Sequence, residues 1–296
     1  MIAWMLAGQG AEHAGMGVDL ARSYADAAKL WECSSEAAGK DLLALSERGG
    51  RALIKTQYLQ PALTAVALGA ASFLRDEGIA PEIVAGHSAG ELAAVATAGH
   101  LPYESACELS AERGRAMAKA ARARPGGMVA VHGSADRLEG IMKDASLSGE
   151  VYIGGQTTED THLVTGESAA LRTAASHQGV SPLPVSGPWH SPLMKTASQE
   201  LHDRFESAIE DAEQGPTWVS NQTGVDARGD GEAVSQLLLS QLTSPMKLHQ
   251  SIEFVLEQGA TDVVVLGPHH ALGHIIKRHL DERREVRVHS TSTVQE

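Results

Sequence analysis

A serine bracketed by glycines carries the clearest chemical signal in the chain. Residues Ile83 to Val95 read IVAGHSAGELAAV. The apolar run Ile83-Val84-Ala85 stops at Gly86, and Gly90 opens an Ala/Leu-rich segment with helical spacing. Ser88 therefore falls on the turn between a buried strand and a helix, in the G-x-S-x-G arrangement of a nucleophile elbow. A reversal this tight forces its middle residue into a strained backbone conformation, and its neighbours must be small so that strand and helix can pass. The hydroxyl is left exposed at a helix N-terminus, where the next backbone N–H can face a developing oxyanion. The same five residues also occur as a plain Gly/Ser turn; the strand and helix on either side favour catalysis.

Other residues have types suited to assisting such a nucleophile. His190 lies in the proline-flanked loop SGPWHSP, residues 186 to 192. A histidine emerging at a junction between structural units suits a general base, although a lone loop histidine is also commonly just solvated. Gln9 sits in AGQGAEHAGMG, residues 7 to 17, whose glycines let the backbone approach a ligand. That loop is not G-x-G-x-x-G, so a dinucleotide fingerprint is not supported. Gln60 precedes Pro61 at the start of a helix and can face a cleft or act as a cap. Arg113 is followed by Gly114 inside the helical segment AERGRAM. A glycine there costs roughly 1 kcal/mol relative to alanine, so another element is expected to pass close by. His270 and His274 have i, i+4 spacing, but no acidic third ligand is near in sequence and H-E-x-x-H is absent. No metal site is expected from them.

The elements that must position these groups read as alternating strands and helices. Strands are expected at Met1–Leu6, Ile83–Ala85, Trp218–Ser220 and Asp262–Leu266. Helices are expected near 21–38, over the segment after Gln60 with Pro61 in its first turn, and at 103–121, 192–212, 233–242 and 248–258. Arg124-Pro125-Gly126-Gly127 is the best hinge. Beyond it the order changes to strand-helix-strand-strand-helix-strand, with strands at 128–131, 151–153, 162–165 and 181–185 and helices at 135–145 and 167–177. That order is the ferredoxin-like arrangement. The expectation is a small inserted subdomain at 127–186 and a large subdomain made of 1–126 and 187–296.

Composition narrows the class. The 296 residues are 43% hydrophobic, with 30 glycines and 11 prolines, which suits a globular fold with a sizeable core. No apolar run approaches the about 20 residues that span a bilayer. The opening MIAWMLAG lacks a basic flank and reads as a first strand rather than a signal peptide. Cys33 and Cys107 are far apart and outside any metal-type spacing, which suits a reduced, cytoplasmic setting. With 37 acidic against 24 basic residues, nucleic acid is not the expected partner. Two local basic runs stand out: Arg113, Arg115, Lys119, Arg122 and Arg124, then Lys277, Arg278, Arg283, Arg284 and Arg287. Each is a solvated helix face or a docking patch for an acidic or phosphate-bearing partner.

In this order, these stretches resemble malonyl-CoA:acyl carrier protein transacylases and the related acyltransferase domains of polyketide synthases. The matching pieces are GQG at 8–10, QPAL at 60–63, GHSAGE at 86–91, RGRAM at 113–117, GGMVAV at 126–131, SGPWHSPLM at 186–194, SNQTG at 220–224 and LGP at 266–268. The resemblance implies an α/β fold: an α/β-hydrolase-like parallel-sheet core with an inserted ferredoxin-like subdomain. It implies Ser88 as nucleophile, His190 as its base, and the backbone N–H groups of Gln9 and Ala89 as the oxyanion hole. Arg113 would hold the malonyl carboxylate, with Gln60, His87 and Trp189 also on the substrate. Malonyl-CoA and an acyl carrier protein are the implied partners, with no cofactor and a monomeric enzyme. Alternatives are an acyl hydrolase or an acyltransferase of different acyl choice on the same elbow, or a non-catalytic carrier-docking scaffold. The chain departs from the family pattern in LAGQGAEH, in Trp189 where Phe is usual, in IGGQTTEDTHLVTG and in GPHH, all flanking the acyl pocket.

Overall fold

The computed structural model describes residues 1–10, 12–212, 214–268, 270–280 and 285–291. Arg283 and Arg284 of the second basic run, and the His270 side chain of the spaced histidine pair, lie outside the described residues.

The chain begins with β1 (Ile2–Leu6), four of whose five residues are buried, as a strand covered on both faces must be. The helix expected near 21–38 is two, α1 (Val18–Ser23) and α2 (Ala25–Ala38). Tyr24 breaks them with an extended backbone, and its hydroxyl donates to Asp76 at 2.6 Å. A short helix that was not anticipated follows, α3 (Leu42–Arg48); Asp41 caps it by accepting the Ala44 N–H.

Next comes α4 (Thr56–Asp76), which starts earlier than expected. Pro61 is thus in its second turn, not its first, and Gln60 is fully buried rather than a cap. After β2 (Ile83–Gly86), one 3-10 turn over Ser88–Gly90 leads into α5 (Glu91–Thr97) and then α6 (Tyr103–Ala123). A Cβ on Gly114 would stand 2.7 Å from the Thr56 carbonyl and 2.9 Å from the Gln57 Cα. The glycine beside Arg113 therefore does mark a close crossing, of α6 over the first turn of α4.

The following segment runs β3 (Gly126–His132), α7 (Ala135–Ser146), β4 (Val151–Thr158), β5 (Thr161–Glu167), α8 (Ser168–Ala175) and β6 (Val180–Pro182). Its strands form an antiparallel sheet in the order β4-β5-β3-β6, the ferredoxin-like order. Gly126 and Gly127, expected in a hinge, are already paired with Glu167 and Gly166. Strand β6 is shorter than expected, because Pro182 and Pro184 remove ladder donors.

The chain then gives α9 (Lys195–Ala208), β7 (Thr217–Val219), α10 (Gly231–Gln241), α11 (Leu248–Glu257), β8 (Asp262–Leu266), α12 (His270–His279) and β9 (Arg287–Ser290). Helix α9 stops four residues before the expected end, at Ile209, and β9 was not anticipated. Among the described residues, five strands make a parallel sheet ordered β7-β2-β1-β8-β9. The expected α/β class, with a parallel core and a separate antiparallel sheet, is the one found. Strands β1 and β2 are neighbours in register, Leu6 opposite Gly86, so the loops leaving their C-terminal ends meet over one edge of the sheet.

Candidate active site

The elbow is built by backbone crossings that leave no room for side chains. A Cβ on Gly86 would collide with the backbone of Glu91, one on Gly90 with the Leu6 carbonyl, and one on Gly8 with the His87 carbonyl. Strand β2, the turn and the Gly8 loop can approach this closely only as glycines. Ser88 pays for the reversal with φ 53°. The only other non-glycine residue with positive φ among those described is His190, at 56°.

These two residues face each other. Ser88 Oγ lies 2.7 Å from His190 Nε2, and His190 Nδ1 lies 2.8 Å from the main-chain carbonyl of Gln241. A carbonyl can only accept, so Nδ1 carries the proton and Nε2 offers a lone pair to the serine hydroxyl. The histidine loop is held by Ser191, whose hydroxyl donates to Pro188 O at 2.6 Å. Burial pushes the His190 pKa down to about 3, aided by the nearby Arg113 charge and opposed by the Gln241 bond. The imidazole is therefore neutral and ready to accept a proton.

Arg113 reaches the same place from α6 and is buried. It donates to Gln60 Oε1 at 2.5 Å and to Gln241 Oε1 at 2.9 Å. Gln60 in turn donates to Thr56 Oγ1 at 2.7 Å, and Thr56 to Gln9 Oε1 at 3.3 Å. Among the described residues no carboxylate comes within ion-pair distance of Arg113. Burial lowers its pKa to about 10, partly offset by Glu91, so it remains a cation at neutral pH. A buried guanidinium held only by neutral amide oxygens is suited to taking an anion.

The Ser88 N–H donates to Asn221 Oδ1 at 3.1 Å, and the Asn221 N–H to Glu91 Oε1 at 2.8 Å. Burial raises the Glu91 carboxyl to about 8, opposed by the Asn221 bond, Ser220 and Arg113. The N–H groups of Gln9 and Ala89 donate to no acceptor among the described residues. His87 is half-buried, with its pKa pushed down to about 4 by burial. Trp189 is buried in the main core with its ring against Gly187.

The structure thus brings together Ser88, His190, Arg113, Gln60, Gln9 and Ala89, and sets Trp189 behind the histidine loop. Gln241 was not anticipated: its contact with His190 is made by the main chain, which leaves no mark on side-chain type. Asn221 and Glu91 lay inside recognised motifs without an assigned part. Half of the described members of the basic runs are answered by carboxylates in space. Lys119 pairs with Glu200, Arg124 with Glu150 and Glu167, Arg278 with Asp160 and Arg287 with Asp262. Arg122 instead lines a groove of about 500 Å³ with Arg51, Lys55 and Thr56. No helix among the described residues is long and apolar enough to cross a membrane.

A family model described as acyl transferase domain matches residues 3–293. The chain belongs to the acyl transferase domain family. This acyl transferase is 32% identical over 288 residues to the malonyl CoA-acyl carrier protein transacylase of Escherichia coli (strain K12), covering 94% of this chain and 93% of that protein. It is also 32% identical over 292 residues to the polyketide biosynthesis protein ThaF of Burkholderia thailandensis, covering 96% of this chain but 24% of that much longer protein. Among solved structures, a crystal structure of MCAT from Streptococcus pneumoniae superposes with a TM-score of 0.88 at 30% identity, over 100% of this chain and 97% of that one.

Proposed function

We propose that this acyl transferase moves a malonyl group from malonyl-CoA to the phosphopantetheine thiol of an acyl carrier protein, through an ester on Ser88. The observation that carries the reading is the pairing of a hydrogen-bonded Ser88–His190 couple with the carboxylate-free buried cation of Arg113. The likeness to the E. coli transacylase and to ThaF at the same identity supports a reaction common to fatty-acid and polyketide carriers.

Ser88 Oγ attacks the thioester carbonyl while His190 Nε2 takes the hydroxyl proton. The N–H groups of Gln9 and Ala89 receive the oxyanion, and the Ser88 N–H stays with Asn221. The C–S bond breaks, His190 returns its proton to the leaving thiolate, and CoA departs as the thiol. The carrier's thiol then attacks the malonyl ester, with His190 as base and afterwards as acid to Ser88 Oγ. Every bond and proton is accounted for by these groups, so the transfer needs no cofactor.

The malonyl carboxylate takes Arg113 in a bidentate contact through the Nη1 and Nη2 N–H groups that Gln60 and Gln241 leave free. Gln60 keeps the guanidinium in plane, while His87 and Trp189 back the pocket, one through the elbow and the other through the histidine loop. The groove bearing Arg51, Lys55 and Arg122 suits the phosphates of CoA and of phosphopantetheine. The chain is proposed to act as a cytoplasmic monomer, with residues 127–186 as a small subdomain over a large one formed by 1–126 and 187–296.

Intact-protein mass spectrometry after mixing with malonyl-CoA tests this reading. One malonyl adduct is expected on the wild type, discharged by a phosphopantetheinylated carrier protein, and none on Ser88→Ala. An adduct that persists on Ser88→Ala would remove the nucleophile assignment.

A further inference from the structure

Away from the active site, two histidines from different helices meet edge to edge. His249, near the start of α11, places Nδ1 2.8 Å from Nε2 of His279, the last residue of α12. The rings are 5.0 Å apart between centroids and tilted by 37°. Glu253 follows His249 by four residues, one turn further along the same face of α11. One ligand atom from each of the three residues lies within 4.8 Å of the other two, and all three are half-buried.

We propose that His249, Glu253 and His279 form a binding site for a divalent transition-metal ion of the zinc type. The donor set is two imidazoles and one carboxylate, which suits zinc or cobalt rather than calcium or magnesium, since those prefer oxygen shells. The tautomers are already arranged for it. His279 Nδ1 lies 2.8 Å from the Ile275 carbonyl, which can only accept, so that nitrogen holds the proton and Nε2 keeps its lone pair. A main-chain carbonyl on the far nitrogen is the outer partner that orients metal-binding histidines.

Without metal, the His249 Nδ1–H donates to His279 Nε2. A metal ion takes the place of that proton. His249 gives up its Nδ1 proton and gains one from solvent on Nε2, so the ring remains neutral and no net proton is released. Two nitrogens bound to tetrahedral zinc stand about 3.3 Å apart. The imidazoles must therefore separate by roughly half an ångström from their present spacing, a shift within the reach of side-chain torsions. The nearby Arg278 charge is answered by its ion pair with Asp160, in the turn between β4 and β5. A metal at this point would join α11 to α12, and through Arg278 would hold α12 against the antiparallel sheet.

The spacing rules that lead the sequence to no metal site concern ligands close together in the chain. Here the two histidines are 30 positions apart. A second group of potential ligands, His202, Asp203 and Glu206 on α9, is exposed and serves as an internal control.

The test uses untagged, chelator-treated full-length protein titrated with cobalt(II). The expected result is one equivalent bound, with the visible absorption of a four- or five-coordinate site that zinc displaces and magnesium does not. His249→Ala and His279→Ala should each weaken binding by about 100-fold, whereas His202→Ala should leave it unchanged. Because the alanine variants could disturb the helix packing, X-ray absorption at the zinc edge is measured on the wild type as well. Two imidazole nitrogens at about 2.0–2.1 Å are expected. An all-oxygen shell, affinity unchanged in both histidine variants, or no binding at 100 μM cobalt (roughly) would overturn the assignment.

Discussion

Ser88 and His190 meet at 2.7 Å with both backbones in the left-handed region, at φ 53° and 56°. Each such conformation costs a non-glycine residue of order 1–3 kcal/mol, so it persists only where the surroundings impose it. At Ser88 the imposing groups are the crossings at Gly8, Gly86 and Gly90; at His190 they are the Gln241 carbonyl and the Ser191–Pro188 bond. Strain is thus concentrated in the backbones of the two residues between which the proposed proton transfer runs. The hydroxyl and imidazole are held in place before any substrate arrives.

The depressed pKa of His190 has a kinetic consequence. A histidine at its ordinary value would lose about tenfold of its neutral form between pH 7.5 and 5.5. With a pKa of about 3, His190 stays neutral across that range. Malonyl loading measured as kcat/KM by rapid quench should therefore remain flat from pH 7.5 to 5.5. A tenfold fall centred near 6.5 would show a solvated, ordinary imidazole instead.

Arg113 should decide between acyl groups. Arg113→Ala is expected to lower kcat/KM for malonyl-CoA by about 100-fold or more, the usual cost of losing a buried charge-assisted pair. Loading from acetyl-CoA, which has no carboxylate, should change by less than about threefold. Competition between the two thioesters, read by protein mass, checks both numbers at once. Equal losses would leave Arg113 a structural residue.

Gln241 serves two partners through different atoms, and they can be separated. Gln241→Ala keeps the main-chain carbonyl that orients His190 but removes the oxygen facing Arg113 and the weak 3.4 Å donation to Ser88 O. The expected variant has kcat within about threefold of wild type and a several-fold higher KM for malonyl-CoA. A fall in kcat of about 100-fold with KM unchanged would mean that the side chain, not the carbonyl, positions the histidine.

Much of this site can be read from residue order because glycines and apolar runs record backbone geometry directly. The Gly86–Ser88–Gly90 spacing and the run before it suffice to locate the elbow, and Gly114 registers the crossing that brings Arg113 inward. The ferredoxin-like segment is equally plain, since its period changes after Arg124. What escapes the sequence is set by tertiary context. Tyr24 splits a helix through a bond to Asp76, a residue 52 positions away. Pro61 is accommodated in the second turn of α4, although proline is expected only in the first. Gln241 contributes a carbonyl that any residue type possesses. His249 and His279 acquire a relationship only when α11 and α12 pack together.

Glu91 links the elbow to the pH dependence of folding. Its carboxyl is raised from 4.5 to about 8, so between those values the folded protein holds a proton that the unfolded chain has released. Stability from this group is complete below pH 4.5 and declines as pH rises towards 8. His190 and His87 act in the opposite sense. Their folded values, about 3 and about 4, lie below the ordinary 6.5, so they cost stability as pH falls through 6.5, and that cost fades only over the unit or so above it. Between pH 6.5 and 8 the Glu91 contribution should fall by about 1.5 kcal/mol while the two histidines together regain about 0.8 kcal/mol, so it is the comparison with a Glu91 variant that isolates the carboxyl. Glu91→Gln keeps an oxygen for the Asn221 N–H, so it should fold and retain Ser88 acylation while showing no such decline. Urea unfolding of both proteins at pH 6.5 and 8 makes the comparison. Parallel losses in the two would mean that Glu91 is already ionised in the native state and that Asn221 is held by a carboxylate.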